Sequence, residues 1–221
     1  MRRALLAEAL GSALLAATII GSGIMAERLA GGNLAVALLA NTGATVAMLA
    51  TLIALCGPIS GAHFNPAVSL IEALRGNLSV RATFAYAVVQ VLGCVAGAFL
   101  AHAMFELPII QTSLLPRAGP AQWLSEMVAT TGLILVVISS TGLKDAAWRV
   151  AAWIGAAYWF TASTSFANPA LTIARALSNT FSGIAPNSAP AFIAFQFFGA
   201  LVGLMLAKWL QIGTAAIRPV D

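Results

Sequence analysis

Gly61-Ala62-His63-Phe64-Asn65-Pro66-Ala67-Val68 and Phe166-Ala167-Asn168-Pro169-Ala170 are the two stretches whose reading decides the fold of this chain. Each contains Asn-Pro-Ala inside an apolar segment, and each opens a short helical pattern. One Asn-Pro is an ordinary turn signal. Two copies, about 103 residues apart in so apolar a chain, point to a duplicated fold in which short helices meet at the bilayer midplane. Proline suits the first turn of a helix, where no partner needs its missing N–H. The helical patterns cover about 66–75 and 169–178. Ten residues make roughly 15 Å of helix, half of a hydrocarbon core of about 30 Å. Entering from opposite faces, the two pieces make one broken span.

Around them lies a membrane protein. Hydrophobic residues are 60% of the chain and charged residues 8%, against roughly 25% charged in a soluble domain. Six stretches are long enough to span, at about 4–26, 34–56, 81–105, 121–142, 147–164 and 190–212. The fifth is short. The segment from Met1-Arg2-Arg3 to about Met25 is long enough to be the first span rather than a cleaved signal. The longest stretch of mixed composition, about 106–120, leaves no separate soluble domain, so residues 1–221 read as one membrane domain. The net charge of +4 comes from scattered basic residues and is no argument for a nucleic-acid partner, and none is expected. Cys56 and Cys94 lie in apolar runs and read as core residues, with neither a disulfide nor a metal.

The basic residues set the orientation. With the N-terminus inside, Arg2, Arg3, Arg75, Arg81, Lys144, Arg149, Lys208 and Arg218 fall on the cytoplasmic side, and Arg28, Arg117 and Arg175 outside. Both termini are then cytoplasmic. An internal repeat supports the arrangement: Gln90-Val91-Leu92-Gly93 with Gly97 matches Gln196-Phe197-Phe198-Gly199 with Gly203, and Glu8 and Glu126 lie early in corresponding spans. The halves, about 4–105 and 121–212, hold three spans each and are therefore inverted relative to each other. The fold expected is an all-α membrane protein with six transmembrane helices and two re-entrant half-helices.

Helix N-termini meeting at the midplane put partial positive charge there, and each asparagine adds an NH₂ donor. A neutral solute with lone pairs is welcome, whereas a cation meets an opposing field. Two helix caps in a packed protein are the plainer explanation, but recurrence at equivalent places of an inverted repeat argues against it.

These motifs strongly resemble the aquaporin, or major intrinsic protein, family over nearly the whole chain. The resemblance implies a homotetramer with one pore per protomer in a lipid bilayer, neither enzyme nor cofactor-dependent. It makes Asn65, Pro66, Ala67, Asn168, Pro169 and Ala170 the pore midplane, and Glu8 and Glu126 buried carboxylates that hold the re-entrant loops. His63 is expected to pack near the first motif. The family's filter positions fall on Thr45, Ala156, Ser165 and Leu171, where most members carry arginine at the last. A register shift of a residue or two in the short fifth span brings Tyr158 or Trp159 inward instead of Ala156. Arg175, one helical turn beyond Leu171, either lines the outer vestibule or is solvated at a helix end. Small residues and a missing arginine imply a wide filter. The run from Asn168 to Gly183 looks like a bacterial branch of the family that often accompanies arsenic resistance. The function expected is a passive channel in the bacterial inner membrane for glycerol-type polyols, arsenite or other small arsenicals, and water. A channel for anions or organic acids, a water-selective aquaporin and a non-transporting structural protein are the alternatives.

Overall fold

The computed structural model describes residues 1–213; Arg218, one of the expected cytoplasmic cations, lies outside them. Among the described residues the chain forms eight helices: α1 (Arg2–Leu29), α2 (Leu34–Ser60), α3 (Pro66–Leu74), α4 (Val80–Met104), α5 (Pro120–Ser139), α6 (Leu143–Phe160), α7 (Pro169–Ala176) and α8 (Ala189–Trp209). Five of the six long ones are long and apolar enough to cross a membrane. The sixth, α6, has 18 residues and carries Lys144, Asp145 and Arg149 in its first two turns. At 1.5 Å per residue it still reaches about 27 Å.

The two halves pack in the same way. Helix α1 lies against α4 and α2, as α5 lies against α8 and α6; α3 touches α4, as α7 touches α8. The halves join where α2 meets α6, α4 meets α7 and α3 meets α8. Small residues set the spacing. A methyl group at Gly97 would run into the backbone carbonyl of Ala13, and one at Gly203 into that of Thr131. These are equivalent positions of the two halves, and a close backbone approach of this kind needs glycine. Many large apolar side chains remain exposed on the long helices, among them Leu6, Phe84, Leu92, Trp148 and Met205. Lipid is the solvent that accepts them.

The fifth span departs from expectation. Helix α5 ends at Ser139 and α6 begins at Leu143, about four residues before the hydropathy-based start. The reason is local electrostatics. The Asp145 carboxylate accepts from the Thr141 backbone N–H at 3.0 Å, which ties the approach to the helix onto its first turn. Arg149 donates to Asp145 at 3.1 Å and to the Ser139 carbonyl at 2.9 Å, so the charged residues are held within the helix start. At the other end the chain must leave the helix at Phe160 so that residues 163–167 can turn into the protein.

Candidate functional site: the central pore

The two Asn-Pro-Ala segments face each other at the helix N-termini. Asn65 caps α3, its Oδ1 accepting from the Ala67 N–H at 2.9 Å. Asn168 caps α7, accepting from the N–H groups of Ala170 at 3.0 Å and Leu171 at 3.3 Å. Pro66 and Pro169 occupy the first helical turns, and Ala67 and Ala170 are buried completely. Each asparagine also crosses to the other loop. Asn65 Nδ2 donates to the Ala167 carbonyl at 2.7 Å, and Asn168 Nδ2 to the Phe64 carbonyl at 2.8 Å. These reciprocal bonds tie the half-helices together and leave each NH₂ a second hydrogen.

Two buried carboxylates hold the loops leading in. Glu8 accepts from Ser60 Oγ at 2.6 Å, the backbone N–H groups of His63 at 3.0 Å and Phe64 at 2.7 Å, and Gln90 Nε2 at 2.8 Å. Glu126 accepts from Ser163 Oγ at 2.5 Å, the N–H groups of Phe166 and Ala167, both at 2.9 Å, and Gln196 Nε2 at 2.6 Å. Four donors apiece satisfy the oxygens of each carboxyl group at complete burial. The glutamines are fixed in turn by Ser69 and Thr172, on the two half-helices.

The backbone pays for this arrangement with left-handed residues that are not glycine: Ala62 and Phe64 in the first loop, Ser165 and Ala167 in the second, with φ between 47° and 53°. The loop N–H groups turn to the glutamates. No donor among the described residues reaches the carbonyls of Gly61, Ala62 and His63, or of Ser165 and Phe166. All five residues line a cavity.

That cavity, about 270 Å³, is bordered by Glu72 and Arg75 at the C-terminal end of α3, by both asparagines, and by Arg175 at the C-terminal end of α7. It therefore follows the line of the two half-helices. Glu72 and Arg75 form an ion pair at 2.6 Å at one mouth. His63 lies on the wall, with Nδ1 3.1 Å from Ser69 Oγ and its ring edge-on to Tyr86.

Of the four residues expected at the constriction, Thr45, Ser165 and Leu171 line the cavity and are buried. Ala156 does not. It lies exposed on the outer surface of α6, and Trp159 is also turned away, 48% exposed. Tyr158 takes the place, with Ile154 one turn before it. The shifted start of α6 does not alter the rotational arithmetic; counting back along a non-helical loop does not fix which helix face points inward. Thr45 gives its one O–H to the Asn41 carbonyl at 2.8 Å, so in its 3.3 Å contact with Tyr158 the tyrosine donates. The phenol oxygen keeps its lone pairs for a solute.

Arg175 is not at a solvated helix end. It is 3% exposed, lines the cavity and lies 3.3 Å from the Phe166 ring centroid. Its Nε donates to the Ser182 carbonyl. On the same ring, 5.2 Å away, sits Arg117, which donates to the carbonyls of Gly183 at 2.9 Å and Ser163 at 3.4 Å. Burial pushes the Arg117 guanidinium below its ordinary range, opposed by the nearby Glu126 and Tyr158. The sequence shows Arg117 only as an outer cation and Phe166 only as the start of a motif; each gains its place at the site from where the loops fold back. Cys56 and Cys94 are buried and free.

A sequence model of the major intrinsic protein family matches residues 1–158. Aquaglyceroporin AqpS of Rhizobium meliloti (strain 1021) is 52% identical over 161 residues, which cover 72% of this chain and 69% of that protein. Aquaporin NIP1-3 of Oryza sativa subsp. japonica is 30% identical over 74% of this chain and 59% of its own length. Among solved structures, the aquaglyceroporin from Plasmodium falciparum superposes with a TM-score of 0.72 over 94% of this chain and 95% of that one; at 19% identity this likeness shows the fold alone. With a family model matched over more than half its length and a relative identical at half the aligned positions, the chain belongs to the major intrinsic protein family, whose members are multi-pass membrane channels rather than enzymes.

Proposed function

We propose that this chain is a passive channel for small uncharged solutes, namely glycerol-type polyols, arsenite and other small arsenicals, with water also permeating. The observation that carries the reading is Leu171, an apolar side chain on the cavity wall directly after the second Asn-Pro-Ala. Thr45, Tyr158 and Ser165 complete a constriction with hydroxyl groups and no charge. Hydroxyls and free loop carbonyls exchange hydrogen bonds with a polyol or an uncharged trihydroxide, while Leu171 accommodates a carbon face. Similarity to an aquaglyceroporin supports the same class of solute. The asparagine donors and half-helix N-termini form the midplane barrier to cations. The setting is a bacterial inner membrane, with both termini cytoplasmic and α7 opening outward, and the assembly is a homotetramer with a pore in each protomer.

Liposomes carrying the purified protein test this by light scattering and solute uptake. Glycerol and arsenite fluxes above those of empty vesicles are expected, without a proton leak. Water flux alone makes the protein a water-selective aquaporin; no flux of any solute makes it a structural member of the family.

A further inference from the structure

Arg175 is a buried cation that the neutral-solute reading does not need. Among the described residues the ion pairs are Glu72–Arg75 and Asp145–Arg149, so neither Arg175 nor Arg117 has a carboxylate partner. Glu126 is the carboxylate whose charge reaches both. Its four hydrogen bonds go to Ser163, Phe166, Ala167 and Gln196, leaving no contact for a guanidinium. Two guanidiniums against one carboxylate leave one uncompensated positive charge around Phe166.

The donors of Arg175 are unequally used. Nε is taken by the Ser182 carbonyl, and the face of the guanidinium rests on the Phe166 ring. No protein acceptor among the described residues takes Nη1 or Nη2, and Arg175 lines the cavity. This terminal edge is the one that grips two oxygens of an oxyanion at once. An independent observation points to the same place. Ser165, the chain neighbour of Phe166, is 3% exposed and lines the cavity, yet its Oγ has no hydrogen-bond partner. A buried hydroxyl left alone is costly and calls for an acceptor.

We propose that the α7 mouth of the pore is a docking site for a small monoanionic oxyacid, held by the terminal edge of Arg175 and by the Ser165 hydroxyl. Arg117 supplies long-range charge and keeps Phe166 in place beneath Arg175. One bound monoanion neutralises the local excess. Because Arg175 stands one turn beyond Leu171, the anion sits in the path of neutral solutes and competes with their entry from that side. The competition rests on the channel reading; the binding does not.

Methanesulfonate is a suitable probe, being fully ionised and unable to cross lipid, and dimethyl sulfone is its neutral counterpart. Saturation-transfer NMR on the full chain in detergent micelles should show saturable transfer to methanesulfonate and none to dimethyl sulfone. Arg175→Gln should weaken the anion's binding by about tenfold or more, as expected for a lost charge-assisted bidentate contact. Arg175→Lys should weaken it less, and Ser165→Ala should weaken it while leaving the cation in place. If Arg175→Gln does not yield folded protein, the other two variants decide. Absence of transfer to the wild type, equal transfer to both probes, or unaltered binding in the variants overturns the site. In liposomes, methanesulfonate on the α7 side should slow glycerol influx where dimethyl sulfone does not. Binding without any glycerol flux overturns the polyol-channel reading and leaves the site standing; glycerol flux without binding does the reverse.

Discussion

At the residue scale, the proposed constriction rests on Leu171 and Tyr158, both on the cavity wall. Leu171→Arg adds a long cation to the wall one turn from Arg175, where like charges repel. Glycerol flux should fall more than water flux, by about tenfold, since the larger solute loses more from a narrowed aperture; equal effects on both, in a stopped-flow comparison, place Leu171 away from the constriction. Tyr158→Ala widens the opposite wall and should raise glycerol flux relative to water in the same assay, whereas Ala156→Leu, on an exposed surface, should change neither. The filter shows where a sequence count is strong and where it is weak. Leu171 follows directly within the helix that the second motif opens, whereas Thr45 and the α6 position are each counted back through a loop with left-handed residues. The count to α6 runs back through residues 161–167, where the left-handed Thr164, Ser165 and Ala167 change the rise per residue, and it overshoots by two residues the side chain that faces the cavity.

At the scale of elements, the re-entrant loops depend on their carboxylates. Glu126→Gln offers two acceptor lone pairs where four donors converge, and turns an NH₂ toward the rest. Leaving even two buried donors unmet costs about 2–6 kcal/mol. A fall in the thermal unfolding midpoint of the detergent-solubilised protein should follow, and Glu8→Gln should match it, because the two glutamates have the same four kinds of partner. A large effect from one glutamate and none from the other breaks the equivalence of the halves. Both half-helices were legible in advance, since Asn-Pro combines a capping side chain with a proline that needs no N–H partner. The charged start of α6 was not, because hydropathy counts Lys144, Asp145 and Arg149 as reasons to end a span. The bonds of Asp145 to Thr141 and Arg149 make this stretch a helix start instead.

At the scale of the whole molecule, the inverted repeat makes close packing a matter of matched glycines. Gly203→Leu forces α8 away from α5, where Gly203 faces the Thr131 carbonyl and the Ile134 side chain. Overpacking of this kind costs about 1–3 kcal/mol or more, and a lower yield of folded protein on size-exclusion chromatography, with flux per folded molecule reduced, is the expected result. Wild-type elution and flux would show that the interface tolerates separation.

The sequence by itself determined that the chain lies in a membrane, that it is a duplicated, inverted bundle, and that two short helices meet at its centre. Those facts follow from composition, from span length and from a repeated motif, all of which are local or periodic. Tertiary structure alone decided that Tyr158 and not Ala156 faces the cavity, that Arg175 is buried and, among the described residues, without a carboxylate partner, and that Arg117 returns from a distant loop to share its aromatic ring. A helix face, a desolvated charge and a contact between separate loops depend on how elements are rotated and brought together, and no local pattern of residues encodes that rotation.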